Sequence, residues 1–294
     1  MKSQKVLFAI ALLLLAGIQL EASNPYKPDK KKAPKVKQGM KLVWAEEFNY
    51  SGKPDTAIWN HEHGFVRNEE FQWYQEDNAF CEKGVLVIEG RREKVKNPKY
   101  DAESKQWRRN REYAEYTASS INSWGKKEFQ YGRFEIRARI DTAMGLWPAI
   151  WTLGVKGEWP SNGEIDIMES YPIDGVHCIL ANVASGTTRR YNAKWDSAKY
   201  PLNHFLKKDP LWPSKFHIWR MDWDEKSIRL YLDDELLNET DLSTTVNPDG
   251  FQPFHQPHYI LLNLAIGGQN GGDPSNTKFP TRYEVDYVRV YQKY

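Results

Sequence analysis

Gly163-Glu164-Ile165-Asp166-Ile167-Met168-Glu169-Ser170 places three carboxylates among Ile, Ile and Met within eight residues. Side chains alternate along a β-strand, so Glu164, Asp166 and Met168 share one face of an ideal strand and Glu169 falls on the other. A one-residue bulge at Ile167-Met168 returns Glu169 to the face of Glu164 and Asp166. The reading is a bulged strand with an acidic side turned to a cleft. Its plain alternative is an edge strand with a solvated acidic face. Four strand steps put the backbones of the two glutamates ~13 Å apart. Sheet curvature and inward-leaning side chains would bring the carboxyls to about 5–5.5 Å, the spacing of a retaining pair. By position, Glu164 is the expected nucleophile and Glu169 the general acid/base. Asp166 is expected to hydrogen-bond the nucleophile, and its charge to help keep Glu169 protonated. One ionised and one protonated carboxyl is what glycosidic-bond hydrolysis needs.

Outward from this strand the chain reads as short strands separated by turn residues. Val85–Glu89, Arg133–Ile140, Ser227–Leu232, Tyr259–Ala265 and Tyr283–Tyr291 carry apolar runs, several of them alternating with polar residues. No amphipathic helix of three turns and no internal repeat is evident. The expected fold class is all-β, a sandwich of two curved antiparallel sheets, the concave one carrying the carboxylates. Residues 92–116 interrupt the pattern with a polar stretch, expected as a hairpin extension or loop near the cleft. Trp107 within it is either a sugar platform or a surface residue.

Composition narrows the ligand. The chain holds 12 Trp, 16 Tyr and 12 Phe in 294 residues, a bias that suits stacking on sugar faces as well as core packing. A net charge of +2, its positive part concentrated in the N-terminal tail, gives little support to a nucleic-acid partner. Residues 1–22 resemble a secretory signal, with Lys2 and Lys5 before the short apolar run Val6 to Ile18. That run is too short for a stable membrane span, so export to the periplasm or beyond is expected. Residues 23–39 form a Lys/Pro-rich linker, and residues 40–294 the folded catalytic domain, expected to act as a monomer. Cys81 and Cys178 are expected as buried thiols rather than a disulfide.

Further motifs follow in a fixed order. They are Trp44-Ala45-Glu46-Glu47-Phe48, Asn68-Glu69-Glu70-Phe71-Gln72-Trp73-Tyr74, Tyr131-Gly132-Arg133-Phe134-Glu135, Gly145-Leu146-Trp147-Pro148-Ala149-Ile150-Trp151, the carboxylate strand, Phe216-His217-Ile218-Trp219, Leu262-Asn263-Leu264-Ala265 and Val285-Asp286-Tyr287-Val288-Arg289-Val290-Tyr291. In these the chain resembles glycoside hydrolase family 16, the β-jelly-roll enzymes that include laminarinases, lichenases, agarases and endo-β-galactosidases. The resemblance implies a retaining endo-acting mechanism with the roles given above. Met168 places the chain with the bulged branch. Trp147 and Trp151 would line the donor side of the cleft, where Asn68 and Glu69 would hydrogen-bond sugar. His217 is expected to be structural. The resemblance also implies a structural calcium held by Glu47, the Gly84 backbone and Asp286, with no cofactor in catalysis.

The acceptor side departs from the laminarinase pattern, in which the strand after the catalytic one bears two histidines four apart, followed by Thr. Here it reads His177-Cys178-Ile179-Leu180-Ala181-Asn182, with Ala181 and Asn182 in the last two places. His177 and Asn182 are expected to contact substrate. The departure favours, by a small margin, a β-galactose-containing glycan of the mucin O-glycan or keratan type. An endo-β-1,3(4)-glucanase is the alternative, and a non-catalytic glycan-binding module the alternative of another class.

Overall fold

The computed structural model describes residues 39–294. The signal sequence and nearly all of the linker expected at 1–39 lie outside the described residues. The chain folds as a β-jelly-roll of two eight-stranded antiparallel sheets packed face to face. In one sheet the strand order is Glu235–Asp241, Ser227–Leu232, His217–Trp223, Gly132–Arg139, Thr281–Lys293, Val85–Gly90, Ala79–Glu82, with Met40–Glu46 also paired to Thr281–Lys293. In the other it is Ala193–Pro201, Val176–Gly186, Glu164–Ile173, Leu146–Gly154, His258–Ile266, Ser120–Asn122, Asn60–His61, with Glu128–Phe129 also on His258–Ile266. This second sheet carries the cleft.

Alternation builds the core between the sheets. In Gly132–Arg139, Phe134, Ile136 and Ala138 are buried, while Arg133, Glu135, Arg137 and Arg139 point outward. The outward row is tied across strands by ion pairs such as Arg133–Asp222 at 2.6 Å and Arg137–Asp286 at 2.8 Å. The cleft sheet contributes Ile150, Ile165, Ile167, Met168, Ile179, Val183 and Leu262 to the same core. Cys81 and Cys178 are buried thiols in different sheets. His217 is structural: it stacks on Trp212, meets Asp233 through Nδ1 at 2.9 Å and the Trp212 carbonyl through Nε2 at 2.9 Å.

The strands read from sequence are present, with Ser227–Leu232 matching end to end. Both α-helices among the described residues are single turns, Asn203–Leu206 and Gly268–Gly271. The 92–116 interruption is a hairpin extension, with Val95–Lys96 paired to Tyr113–Ala114. Trp107 is a packing residue there: its ring meets Phe65 edge-on at 6.0 Å and takes the Arg108 and Arg111 guanidiniums on its face. Arg111 also donates to the carbonyls of Glu70 (2.6 Å) and Glu69 (2.9 Å). The extension thereby clamps the loop before Phe71 against one end of the cleft.

Candidate active site

The bulge lies where the alternation required it. Against Leu146–Gly154, Met168 pairs with Ile150 and Asp166 with Trp151, which leaves Ile167 as the extra residue. Against Val176–Gly186, Asp166 pairs with Asn182 and Glu169 with Leu180. Ile165, Ile167 and Met168 therefore all enter the core, and Glu164, Asp166 and Glu169 line one cavity of about 710 Å³. That size falls in the range of small-ligand sites. The cavity runs across the sheet, from Asn122 and Glu62 at one end to Trp195 and Lys199 at the other.

Each glutamate is held by an indole. Trp159 Nε1 donates to Glu164 Oε2 at 2.6 Å, and Trp147 Nε1 donates to Glu169 Oε1 at 2.8 Å. Asn182 Nδ2 bridges Glu169 Oε2 at 3.0 Å and Asp166 Oδ2 at 3.3 Å. Asp166 also hydrogen-bonds Glu164. Trp151 is fixed by Asn263, whose Oδ1 accepts from Nε1 at 2.7 Å, and by the Arg67 guanidinium 5.1 Å over its ring.

Burial raises all three carboxyl pKa values, but to different ends. Glu169 is pushed up to about 7, by burial first and then by the charge of Glu164, against the donors Trp147 and Asn182. Glu164 is raised by burial, opposed by the Trp159 and Asp166 hydrogen bonds and the Arg67 charge. Asp166, only 2% exposed, is held well above the ordinary range by burial and by both glutamates. Asp166 hydrogen-bonds both glutamates, and the charge that raises Glu169 is that of Glu164.

The other site residues named from sequence divide. Trp147, Trp151, Asn68 and Asn182 line the cavity. Asn68 adopts a left-handed backbone (φ 53°), and its carbonyl accepts from Gln269 at 2.9 Å. That approach requires Gly268, where a Cβ would stand 2.7 Å from the Asn68 oxygen. Glu69 is exposed and outside the cavity wall, which takes its neighbour Glu70 instead. The left-handed turn at Asn68 and Glu69 reverses which acid faces inward. His177 also lies outside the wall. It shares a face with Ile179 and Ala181, which point into the core, and bonds Ser170 Oγ at 2.7 Å. Burial lowers its pKa to about 4. Of the two departures on this strand, Asn182 thus reaches the cleft and Ala181 does not.

Both carboxylates of the expected calcium set have arginine partners. Arg137 pairs with Asp286, and Arg289 holds Glu47 through Nε at 2.7 Å and Nη2 at 3.0 Å.

Sequence reading missed several wall residues. Trp159 stands five residues before Glu164, in a turn rather than a strand, and only its hydrogen bond reveals it. Arg67 pairs with Glu62 and precedes the Asn68 motif by one residue. Trp195, Ser197 and Lys199 alternate along Ala193–Pro201, a strand too polar to stand out.

A jelly-roll cleft floored by a bulged strand with two indole-held glutamates defines a glycoside hydrolase. The chain belongs to glycosyl hydrolases family 16, whose family model matches residues 68–289. It is 34% identical over 316 aligned residues to a beta-glucanase of Rhodothermus marinus, covering 99% of this chain and 97% of that protein. It is 29% identical to a keratan-sulfate endo-1,4-beta-galactosidase of Sphingobacterium multivorum, over 85% of this chain and 55% of that one. A solved structure from work on endo-acting O-glycanases, with which members of the human gut microbiota initiate mucin breakdown, superposes with a TM-score of 0.79. It shares 32% identity over 89% of this chain and 94% of its own. The protein is an endo-acting glycanase of this family.

Proposed function

We propose that the chain is a retaining endo-β-glycosidase in which Glu164 is the nucleophile and Glu169 the general acid/base. The observation that carries this is the difference between the two glutamates on one strand. Glu164 accepts two hydrogen bonds and faces the Arg67 charge, which favour its ionised form. Glu169 is held up to about 7, protonated in mildly acidic water. Asp166 hydrogen-bonds both, which supports a pair close enough for direct attack rather than one spaced to hold a water.

In the first step Glu164 attacks the anomeric carbon while Glu169 gives its proton to the leaving glycosidic oxygen. A covalent glycosyl-enzyme forms and the acceptor end departs. In the second step Glu169, now ionised, takes a proton from water, and that water displaces Glu164. Neither step requires a metal. Trp147 and Asn182 fix the acid's two oxygens throughout. Export by the signal sequence at 1–22 belongs to the same reading.

For the substrate we propose a β-galactose-containing glycan of the mucin O-glycan or keratan type. Support comes from Asn182 on the acceptor side of the wall and from the mucin-acting and keratan-acting relatives. Cleavage of β-1,3(4)-glucan is the second reading, favoured by the beta-glucanase that aligns over nearly the whole chain. Product analysis on keratan, mucin O-glycans, laminarin and lichenan separates them. Oligosaccharides from keratan or mucin alone would support the first, and from laminarin or lichenan alone the second. Glu164→Gln should abolish turnover on whichever is cut while glycan binding persists. A variant that still turns over would refute the nucleophile assignment.

A further inference from the structure

The edge strand Ala193–Pro201 brings three unassigned side chains into the cavity: Trp195, Ser197 and Lys199. Register places them in rows with the catalytic strand. Trp195 lies beyond Ala184 from Glu164, Ser197 beyond Asn182 from Asp166, and Lys199 beyond Leu180 from Glu169. All three point to the cleft face, as their common parity requires. Each row spans two strand spacings, ~9.6 Å. Lys199 thus stands on the acid/base side, at a distance that the first or second sugar of the leaving end covers.

Lys199 differs from its neighbour on the other face. Lys194 Nζ donates to the Thr244 carbonyl at 2.6 Å, whereas Lys199 is exposed and, among the described residues, has no carboxylate partner. The opposite end of the cavity also holds a cation, Arg67, but it is paired with Glu62. The carboxyl in the Lys199 row, Glu169, is itself neutral below about pH 7. Trp195, 47% exposed, offers an open indole face across the same end. An edge-strand lysine also deters strand-to-strand association, but that role does not require it to face the cleft.

We propose that Lys199, with Trp195 as platform, forms an acceptor subsite for a sugar bearing an anionic substituent, a sulfate ester or a carboxylate. This rests on the acceptor-side assignment made above. The substituent engages the ammonium while the sugar face lies on the indole.

The test compares kcat/KM on neutral, 6-O-sulfated and sialylated poly-N-acetyllactosamine oligosaccharides, with neutral and sulfated laminarin as a second pair. Wild type should prefer the anionic member about tenfold, the strength of one charge-assisted hydrogen bond. Whether sulfate or sialate gives the gain identifies the anion. Lys199→Met should collapse the ratio toward unity, Lys199→Arg should retain it, and 0.5 M salt should shrink it through screening, where the Debye length falls to about 4 Å. Equal rates on neutral and anionic substrates, or a preference that survives Lys199→Met, would overturn the proposal. If none of the three poly-N-acetyllactosamines is cut, the galactosyl reading fails by itself and the laminarin pair still decides the subsite.

Discussion

Replacing Glu169 with glutamine should stabilise the protein, and only above the acid range. The native carboxyl titrates at about 7 against an ordinary 4.5. Between those values the folded chain holds a proton that the unfolded chain has released, so stability falls as pH rises through the window. The gap is 7 − 4.5, about 2.5 pH units, and at 1.36 kcal/mol each it costs about 3 kcal/mol by pH 8 as a ceiling. Glu169 is partly open to the cleft, which lowers that figure. The glutamine amide would also set an N–H against Asn182 Nδ2, now 3.0 Å from Oε2, at a cost of about 1 kcal/mol unless Asn182 turns over. The expected result is therefore a gain of about 1–2 kcal/mol at pH 8 and, with only the amide mismatch left, a loss of up to about 1 kcal/mol at pH 4.5. Urea unfolding of wild type and Glu169→Gln at both pH values measures it. A variant less stable than wild type at pH 8, or one with the same difference at both, would refute the view that burial and the Glu164 charge strain this carboxyl. Such a cost is what a site kept for proton transfer rather than for folding carries.

Two other predictions concern activity. The kcat/KM profile should be bell-shaped, with an alkaline limb near pH 7 as Glu169 ionises and an acid limb above 4.5 as Glu164 protonates; a plateau extending past pH 9 would contradict the assignment of the acid. Trp159→Phe removes a donor to ionised Glu164, so the acid limb should move to higher pH and kcat/KM at pH 5 should fall about five- to tenfold. An unmoved acid limb in that variant would mean that the indole holds the glutamate without tuning it.

Much of this site could be read from the chain because its main feature is periodic. Three acids that cannot share a face on a regular strand, with Ile and Met between them, imply either a bulge or a solvated edge. The buried Ile167 and Met168 are the consequence of the bulge. The same period-two logic yielded the strands and the two-sheet sandwich. It failed where the chain leaves the period. At Asn68 and Glu69 two successive left-handed residues invert the expected face, so Glu70 rather than Glu69 reaches the cavity. His177 stands only eight residues after Glu169, but its parity with Ile179 and Ala181 sends it to the core side. That parity was readable once Asp166 and Asn182 were known to be opposed.

Roles that depend on partners far along the chain were less accessible still. Asp286 offers an oxygen ligand by type, but Arg137, 149 positions away, holds it. Asp166 bears a charge by type, yet its proton is decided by two glutamates and a buried setting, not by its own identity. The same applies to the cleft's two ends. Arg67 and Lys199 are both cations in the sequence, and only the fold supplies Glu62 to one and leaves the other facing substrate. Where specificity in such a cleft is set by which charges remain uncompensated after folding, it is a property of pairings across strands. A motif within one strand can therefore give the reaction while leaving the substrate open.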